Sequence, residues 1–413
     1  MNIPKGLNDL LPGEVLKRRL LENRISKIFT QWGYQEIITP TFEFYETLAK
    51  GAGSMMKKEM IKFFDREGNI IAFRPEMTTS IARVASTKIQ LEPKPSRLYY
   101  IGNVFRYDDK VGNQREFCQA GVELIGVNSK EADAEVIALA VESLKNSGLR
   151  KFIIDIGHIN LFNGIMQSIK IEEKRKQEIK EAILNKNFVL LEKILSFSDM
   201  KDEEKEFILK MPTLRGKEEV LEEVEKIINN KLSVSALKEI KEVYHLLGDY
   251  GLEEYILIDL GIIRDFDYYT GIIFEGYTDY LGFPVCGGGR YDNLCSKFGE
   301  NIPSTGFAIG LERLIMALER EDINSLNLER PEQYLLYYQN KEDNFKKALV
   351  VAKDLRKKGL IVELEVGKRK FAEVLKYAHS KGIKYILIVD DNRLNKIKRV
   401  EVVSGKEEII NYE

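Results

Sequence analysis

Between Tyr100 and Gly126 the chain reads YIGNVFRYDDKVGNQREFCQAGVELIG, with charged and amide side chains at strand spacing. An alternating strand ends at Arg106, a polar loop around Gly112 turns the chain, and a second strand runs from Glu116 to Ile125. Residues two apart on a strand share a face, so Gln119, Gly121 and Glu123 look one way and Val122 and Leu124 the other. An arginine at one end of such a hairpin and a Gln/Glu pair on its second strand suit a small amino-acid ligand. Arg106 would meet the ligand's carboxylate and Glu123 its polar side chain. The ordinary alternative is a hairpin with a solvated polar face. Three further segments are unusually polar for strand-rich sequence: FRPEMT (73–78), IIRDFDYYTG (262–271) and GFAIGLERL (306–314).

Composition narrows the chemistry. At 413 residues, 44% hydrophobic and 31% charged, the chain has the make-up of a globular protein of two or three domains. Its 63 basic and 65 acidic side chains leave a net charge of −2, which gives no general attraction to nucleic acid. The three histidines (His158, His245, His379) are isolated, so neither a metal site nor a histidine-based triad is expected, and no cofactor is called for. Cys118, Cys286 and Cys295 have no metal-like spacing and read as buried free thiols. The opening MNIPKGLNDLLPGE lacks an apolar signal core, and no run of about 18 apolar residues appears. A cytoplasmic chain that does not enter a membrane is expected.

The elements that must position these residues are legible in order. Apolar residues from Leu16 to Phe29 recur at helical spacing and Gly33 stops the helix. YQEIITPTFE reads as an extended strand closed by Pro40, followed by a loop through GAGSMM and strands at KFFDREG and NIIAFRPE. MTTSIARVAST reads as a helix starting just after Pro75, with Thr78 or Thr79 in its first turn. From about 163 to 250 the Lys/Glu-rich sequence has helical periodicity and looks like an all-helical insertion. Strand-like sequence resumes at YILIDLGIIRDF, and STGFAIGLERLIMALER is a strand leading into a helix. Long strands interrupted by helices indicate an α+β fold with a mostly antiparallel sheet. Pro331 marks a boundary, beyond which strands alternate with helices in a small α/β domain with parallel strands and crossover helices.

Taken together, the four polar segments resemble the histidyl-tRNA synthetase family of class II synthetase-like proteins, and the resemblance covers essentially the whole chain. FRYDDKVGNQREFCQAGVELIG is similar to its second class II motif, GFAIGLERL to its third, and IIRDFDYYTG with GGGRYD to its two histidine-specific motifs. The resemblance implies a class II antiparallel sheet flanked by helices over residues 1–325, with the insertion at about 163–250. It implies an anticodon-binding-like domain over 331–413, which stops at EEIINYE where the synthetase continues into a final helix. In that family the ligand's amino group is held by positions matching Glu76, Thr78 and Gln119. Its imidazole is held by those matching Glu123 and Tyr269, with Tyr268 adjacent, and its carboxylate by the one matching Arg264. The arginines that grip ATP match Arg106 and Arg313.

The ATP side departs from the synthetase pattern. Asp108–Asp109 replace an acidic–Arg pair, the loop is one residue shorter, and Asn113–Gln114 stand where a further Arg belongs. Two like charges about 4 Å apart at an effective dielectric near 20 repel by about 4 kcal/mol, so adenylation is not expected. A second group in the superfamily, the regulatory subunits of ATP phosphoribosyltransferase, is closer at PKGLNDLLP, WGYQEIITP, RPEMTTSIARVA, REFCQAGVELIG and RDFDYYTGIIFEGY. Cys118 stands where both groups usually show His. This second resemblance implies a non-catalytic subunit that binds L-histidine and partners the short-form catalytic subunit of ATP phosphoribosyltransferase, as a homodimer within a hetero-oligomer. The other reading is an active histidyl-tRNA synthetase with a degenerate loop, and the retained C-terminal domain keeps it open. The clusters Lys368–Arg369–Lys370 and Lys396, Lys398, Arg399 read as ordinary solvated faces, so tRNA binding is not expected.

Overall fold

The computed structural model describes residues 2–107, 114–169, 171–198, 200, 202–262, 268–322, 326, 332–338, 342–389 and 396–411. They divide into two compact units, Met1–Leu326 and Asn327–Glu413.

The hairpin is the centre of the first unit. Ser96–Phe105 pairs antiparallel with Glu116–Ile125, setting Gly102 opposite Gln119, Tyr100 opposite Gly121 and Leu98 opposite Glu123. The alternation divides as expected. Ala120, Val122 and Leu124 enter the main core with Leu21, Ile25 and Phe29, which lie on the long helix Pro12–Gln31. The opposite face is not solvated: Glu123 is 1% exposed. Beyond Glu116–Ile125 the sheet continues through Ser304–Gly310, Cys286–Arg290, Ile272–Tyr277, Ile153–His158 and Ile256–Asp259 to Arg215–Gly216, while Gln35–Glu36 forms the other edge. Only two of its eight pairings are parallel, Gln35–Glu36 with Ser96–Phe105 and Ile153–His158 with Ile256–Asp259. The helix Lys130–Ser147, capped by the Ser129 side chain, adds Val136, Ile137, Leu139 and Val141 to the main core. On the site face a second cluster forms beneath the helix Thr78–Thr87, with Ile81, Ala82 and Ala85 against Tyr100, Val104 and Phe117.

Three local expectations change. YQEIITPTFE does not form one strand: Gln35–Glu36 joins the large sheet, whereas Phe42–Phe44 pairs with Ile70–Phe73 in a separate three-stranded sheet completed by Lys62–Phe64. Pro40 has no N–H to continue the ladder, and the chain changes sheets there. GAGSMM is not a loop but bridges two short helices, Tyr45–Gly51 and Ser54–Glu59. Within the insertion, Arg215–Gly216 is a strand, because the Arg215 guanidinium reaches Asp155 (Nε–Oδ1 2.9 Å, Nη2–Oδ1 2.8 Å) at the sheet edge. The three cysteines are buried free thiols, as expected.

That edge carries a pH dependence. Asp155 faces Glu275 across the strand pair, and Asp259 faces Arg215. Burial and then the Asp155 charge push Asp259 up to about 6. A folded-state value above the unfolded one favours folding in the protonated form. The contribution is fully present below the ordinary Asp value and is lost as pH rises through about 6. Asp259→Asn keeps the acceptor for the Gly261 N–H. The variant is expected to be more stable than wild type at pH 7.5 and to lose part of the stability change between pH 5 and 7, read by urea denaturation at each pH.

In the second unit Gln333–Tyr338 pairs parallel with Ile361–Leu364 and Tyr385–Val389, joined through the helices Glu342–Lys357 and Phe371–Lys381. The all-parallel expectation is corrected at the end: Lys396–Glu401 and Glu407–Asn411 form an antiparallel hairpin. A tight turn with Gly405 at φ +69° connects them, too short for a crossover. No described helix is long and apolar enough to cross a membrane. Among the described residues no group of three acidic, His or Cys side chains is arranged to hold a metal.

Candidate functional site

Two adjoining recesses open on the site face of the large sheet. The first encloses about 400 Å³ and is walled by Glu76, Thr78, Gln119, Tyr268 and Tyr269, together with Tyr100, Tyr291 and the glycine strand at Gly287–Gly288. Glu76 follows Pro75 at the start of the helix Thr78–Thr87, where free N–H groups are available. It accepts from the backbone N–H of Thr78 and from that of Thr79 at 2.9 Å. Burial nonetheless raises its pKa. Pro75 is also fixed: its carbonyl accepts from Arg106 at 2.8 Å, and the buried Arg74 donates to the Asn103 and Thr39 carbonyls, both at 2.8 Å.

Glu123 lies directly behind this wall. Thr78 Oγ1 donates to one carboxylate oxygen at 2.8 Å and the Tyr291 hydroxyl to the other. Space for the carboxylate exists because Gly306, opposite it on the next strand, has no side chain; a Cβ there would lie 2.0 Å from Glu123 Oε2. Desolvation pushes Glu123 up to about 8, against the lowering effect of the two hydroxyls and with a further rise from the Glu76 charge. Tyr268 packs edge-on against Tyr291 with ring centres 5.8 Å apart and tilts against Tyr269 at 4.8 Å. The result is a small polar recess with Glu76 in its wall, Glu123 behind the Thr78 and Tyr291 hydroxyls and an aromatic side, suited to a ligand with a cationic end and a ring N–H.

The second recess, about 610 Å³, is lined by Arg106, Arg313, Glu312, Phe117 and Pro284, and shares Gln119, Gly287 and Ala308 with the first. The Arg106 guanidinium lies 4.9 Å from the centre of the Phe117 ring. Arg313 donates to the Pro284 carbonyl at 3.0 Å, and Glu312 accepts from the Cys118 N–H at 3.0 and 3.1 Å. Two arginines here give the recess an anion-binding character.

The structure thus brings together Glu76, Thr78, Gln119, Tyr268 and Tyr269, and places Glu123 one hydroxyl behind them. Arg106, offered to the ligand carboxylate by the hairpin pattern, lines the second recess beside Arg313 instead. It projects from the end of its strand over Phe117 and donates to the Pro75 carbonyl. Arg264 lies outside the described residues, as do Asp108, Asp109 and Asn113; Gln114 donates to the Glu116 carbonyl at 2.8 Å. Cys118 points into the main core, on the opposite face from Gln119, so it does not touch the recess floor. Burial pushes its thiol up to about 12. Sequence reasoning missed Tyr100, Tyr291 and Gly306. GGGRYD contained the second, but nothing in its spacing couples Tyr291 to Glu123, 168 positions away.

The histidyl-tRNA synthetase model matches residues 6–314, and the anticodon binding domain model matches 333–409. The ATP phosphoribosyltransferase regulatory subunit of Acetivibrio thermocellus is 40% identical over 400 residues, covering 96% of this chain and 94% of that protein. The chain belongs to the family of histidyl-tRNA synthetases and ATP phosphoribosyltransferase regulatory subunits. The histidine–tRNA ligase of Methanocaldococcus jannaschii is 37% identical over 412 residues, covering 98% and 96%. Among solved structures, an ATP phosphoribosyltransferase regulatory subunit/histidyl-tRNA synthetase from Bacillus halodurans C superimposes with a TM-score of 0.83 at 30% identity. That superposition covers 95% of this chain and 99% of the other. Family and fold class therefore agree with the class II synthetase-like architecture expected from the four motifs.

Proposed function

We propose that this chain is a regulatory subunit of ATP phosphoribosyltransferase, without catalysis of its own. In this reading it is needed for activity and histidine feedback in the first step of L-histidine biosynthesis. The observation that carries the proposal is the 40% identity to a regulatory subunit across 96% of the chain. The acidic Asp108–Asp109 pair in the sequence of the hairpin loop adds to it, since like charge opposes binding of ATP phosphates. L-Histidine would occupy the first recess. Its ammonium group would lie at Glu76, Thr78 and Gln119, its imidazole would meet Glu123 and Tyr269, and its carboxylate would meet Arg264.

The partner is the short-form catalytic chain, bound by a homodimer of this one in the cytoplasm. Histidine that favours one conformation of the subunit shifts the complex toward the less active state, and the coupling is reciprocal. Within the two basic clusters of the second unit, Arg369 pairs with Glu365, Lys398 with Glu407 and Arg399 with Glu408, which lowers the charge those clusters offer to tRNA phosphates.

The test uses both purified chains. This chain alone is expected to be inactive, mixing to change the catalytic chain's rate, and histidine to inhibit the mixture. Glu123→Ala removes a charge-assisted bond of about 1.5–3 kcal/mol, about a ten- to hundredfold loss of histidine affinity by calorimetry. If mixing changes neither the rate nor the histidine response, the regulatory reading fails even if histidine binds. The similarity to the Methanocaldococcus jannaschii ligase favours a second reading, an active histidyl-tRNA synthetase. Histidine-dependent ATP–pyrophosphate exchange above background would establish it.

A further inference from the structure

Two carboxyl groups, Glu76 and Glu123, are buried side by side at 6% and 1% exposure. Among the described residues no cation hydrogen-bonds or ion-pairs with either; their partners are backbone N–H groups and the Thr78 and Tyr291 hydroxyls. With no cation among the described residues bonded to them, two negative charges buried this deeply disfavour each other, which favours a proton on one of them. We propose that the empty recess keeps that proton on Glu123 and that bound histidine takes it onto the imidazole, so that pocket and ligand share one proton that solvent neither gives nor receives. The inference rests on the reading of the recess as a histidine site.

Geometry selects Glu123 over Glu76. Glu76 sits at a helix start with two backbone N–H donors that favour its charged form. Glu123 has only hydroxyl partners, and either hydroxyl can turn to accept a proton as readily as it donates one. Among the described residues, the titratable groups facing Glu123 add no positive charge. They are Glu76 and Tyr100 from the helix start and the hairpin, Tyr291 and Cys295 from the segment after the glycine strand, and Tyr34 from across the sheet. Burial holds the Glu123 carboxyl up at about 8. On binding, the O–H bond of Glu123 breaks and an N–H bond forms on the neutral imidazole, the Thr78 or Tyr291 hydroxyl between them taking the one proton as it gives up its own, which leaves a carboxylate and an imidazolium. Thr78 and Tyr291 then donate to the carboxylate.

The proton count fixes the pH profile. Below the free imidazole value of about 6.5, histidine arrives already charged and the Glu123 proton must be expelled. Above about 8 the recess arrives without its proton and one must be taken up. Affinity is therefore greatest between these values and falls about tenfold per pH unit on either side. Calorimetry of histidine binding to the full chain, in buffer pairs of different ionisation heat, reads the count directly. Close to one proton should be released at about pH 5.5, none exchanged near pH 7.2, and close to one taken up at about pH 8.8. Infrared spectroscopy of the ligand-free protein should show a protonated-carboxyl band at pH 7 that is absent from Glu123→Gln and disappears when histidine binds. Heat with a proton count that does not change with pH, or a band that persists in the complex, overturns this inference alone. No heat at any pH overturns the histidine reading and this inference together.

Discussion

Replacing Asp133 with alanine is expected to destabilise the first unit by about 3–5 kcal/mol, the usual cost of leaving one member of a buried ion pair alone. Asp133 and Arg290 are 5% and 4% exposed. The guanidinium meets Asp133 through Nε at 3.0 Å and Nη2 at 2.9 Å. It also donates to the Val127 and Ser129 carbonyls and to Asp292, so the start of the helix Lys130–Ser147 is tied to the end of the glycine strand. Burial raises the Asp133 pKa despite the adjacent cation, so desolvation is the larger effect here. A single truncation leaves that desolvated cation with Asp292 and two backbone carbonyls in place of its closest carboxylate, whereas removing both charges relieves it. Asp133→Ala should shift the urea midpoint strongly, and Asp133→Ala with Arg290→Met should recover part of the loss. Full additivity of the two changes would refute the pairing. Because Tyr291 follows Arg290, the single variant should also bind histidine more weakly than its stability alone explains.

The second large effect is expected from one methyl group. In Gly306→Ala the new Cβ lies 2.0 Å from Glu123 Oε2 and 2.4 Å from the Val122 carbonyl oxygen. Neither distance is tolerable, so the Glu123 carboxylate must leave its place between Thr78 and Tyr291. Overpacking of this kind costs about 1–3 kcal/mol in stability. Loss of the oriented carboxylate costs histidine affinity about as much as Glu123→Ala does, ten- to hundredfold. Combining Gly306→Ala with Glu123→Ala should therefore lose little further affinity. A Gly306→Ala protein that binds histidine as wild type would show that Glu123 does not act from its observed position.

These two residues mark where the sequence stops being legible. The hairpin, the opposite faces of Val122 and Glu123, and the helix after Pro75 follow from alternation and proline punctuation, which are local signals. Thr78, Glu123 and Gly306 come together only because Ser304–Gly310 lies between Glu116–Ile125 and Cys286–Arg290, an order that no local pattern encodes. The second half of YQEIITPTFE failed for the same reason: its propensity is that of a strand, and only tertiary pairing decides which sheet receives it. A strand-end arginine can reach either side, so the strand pattern alone does not place Arg106, and here the Pro75 carbonyl and the Phe117 ring hold it over the second recess. Resemblance supplied the pocket positions that pattern could not, but neither route identified Tyr291 as the group that holds Glu123.

The nine-stranded sheet ends on both sides in a strand of only two residues, Gln35–Glu36 and Arg215–Gly216. An edge that short offers few unsatisfied N–H and C=O groups, too few to template an incoming strand. The smaller unit has longer rims, Ile361–Leu364 and Glu407–Asn411, and the second opens with the carboxylates of Glu407 and Glu408. Of the two rims of the smaller unit, Ile361–Leu364 should therefore be the one that pairs edge to edge, and a lysine at the exposed Ile361 should slow that pairing.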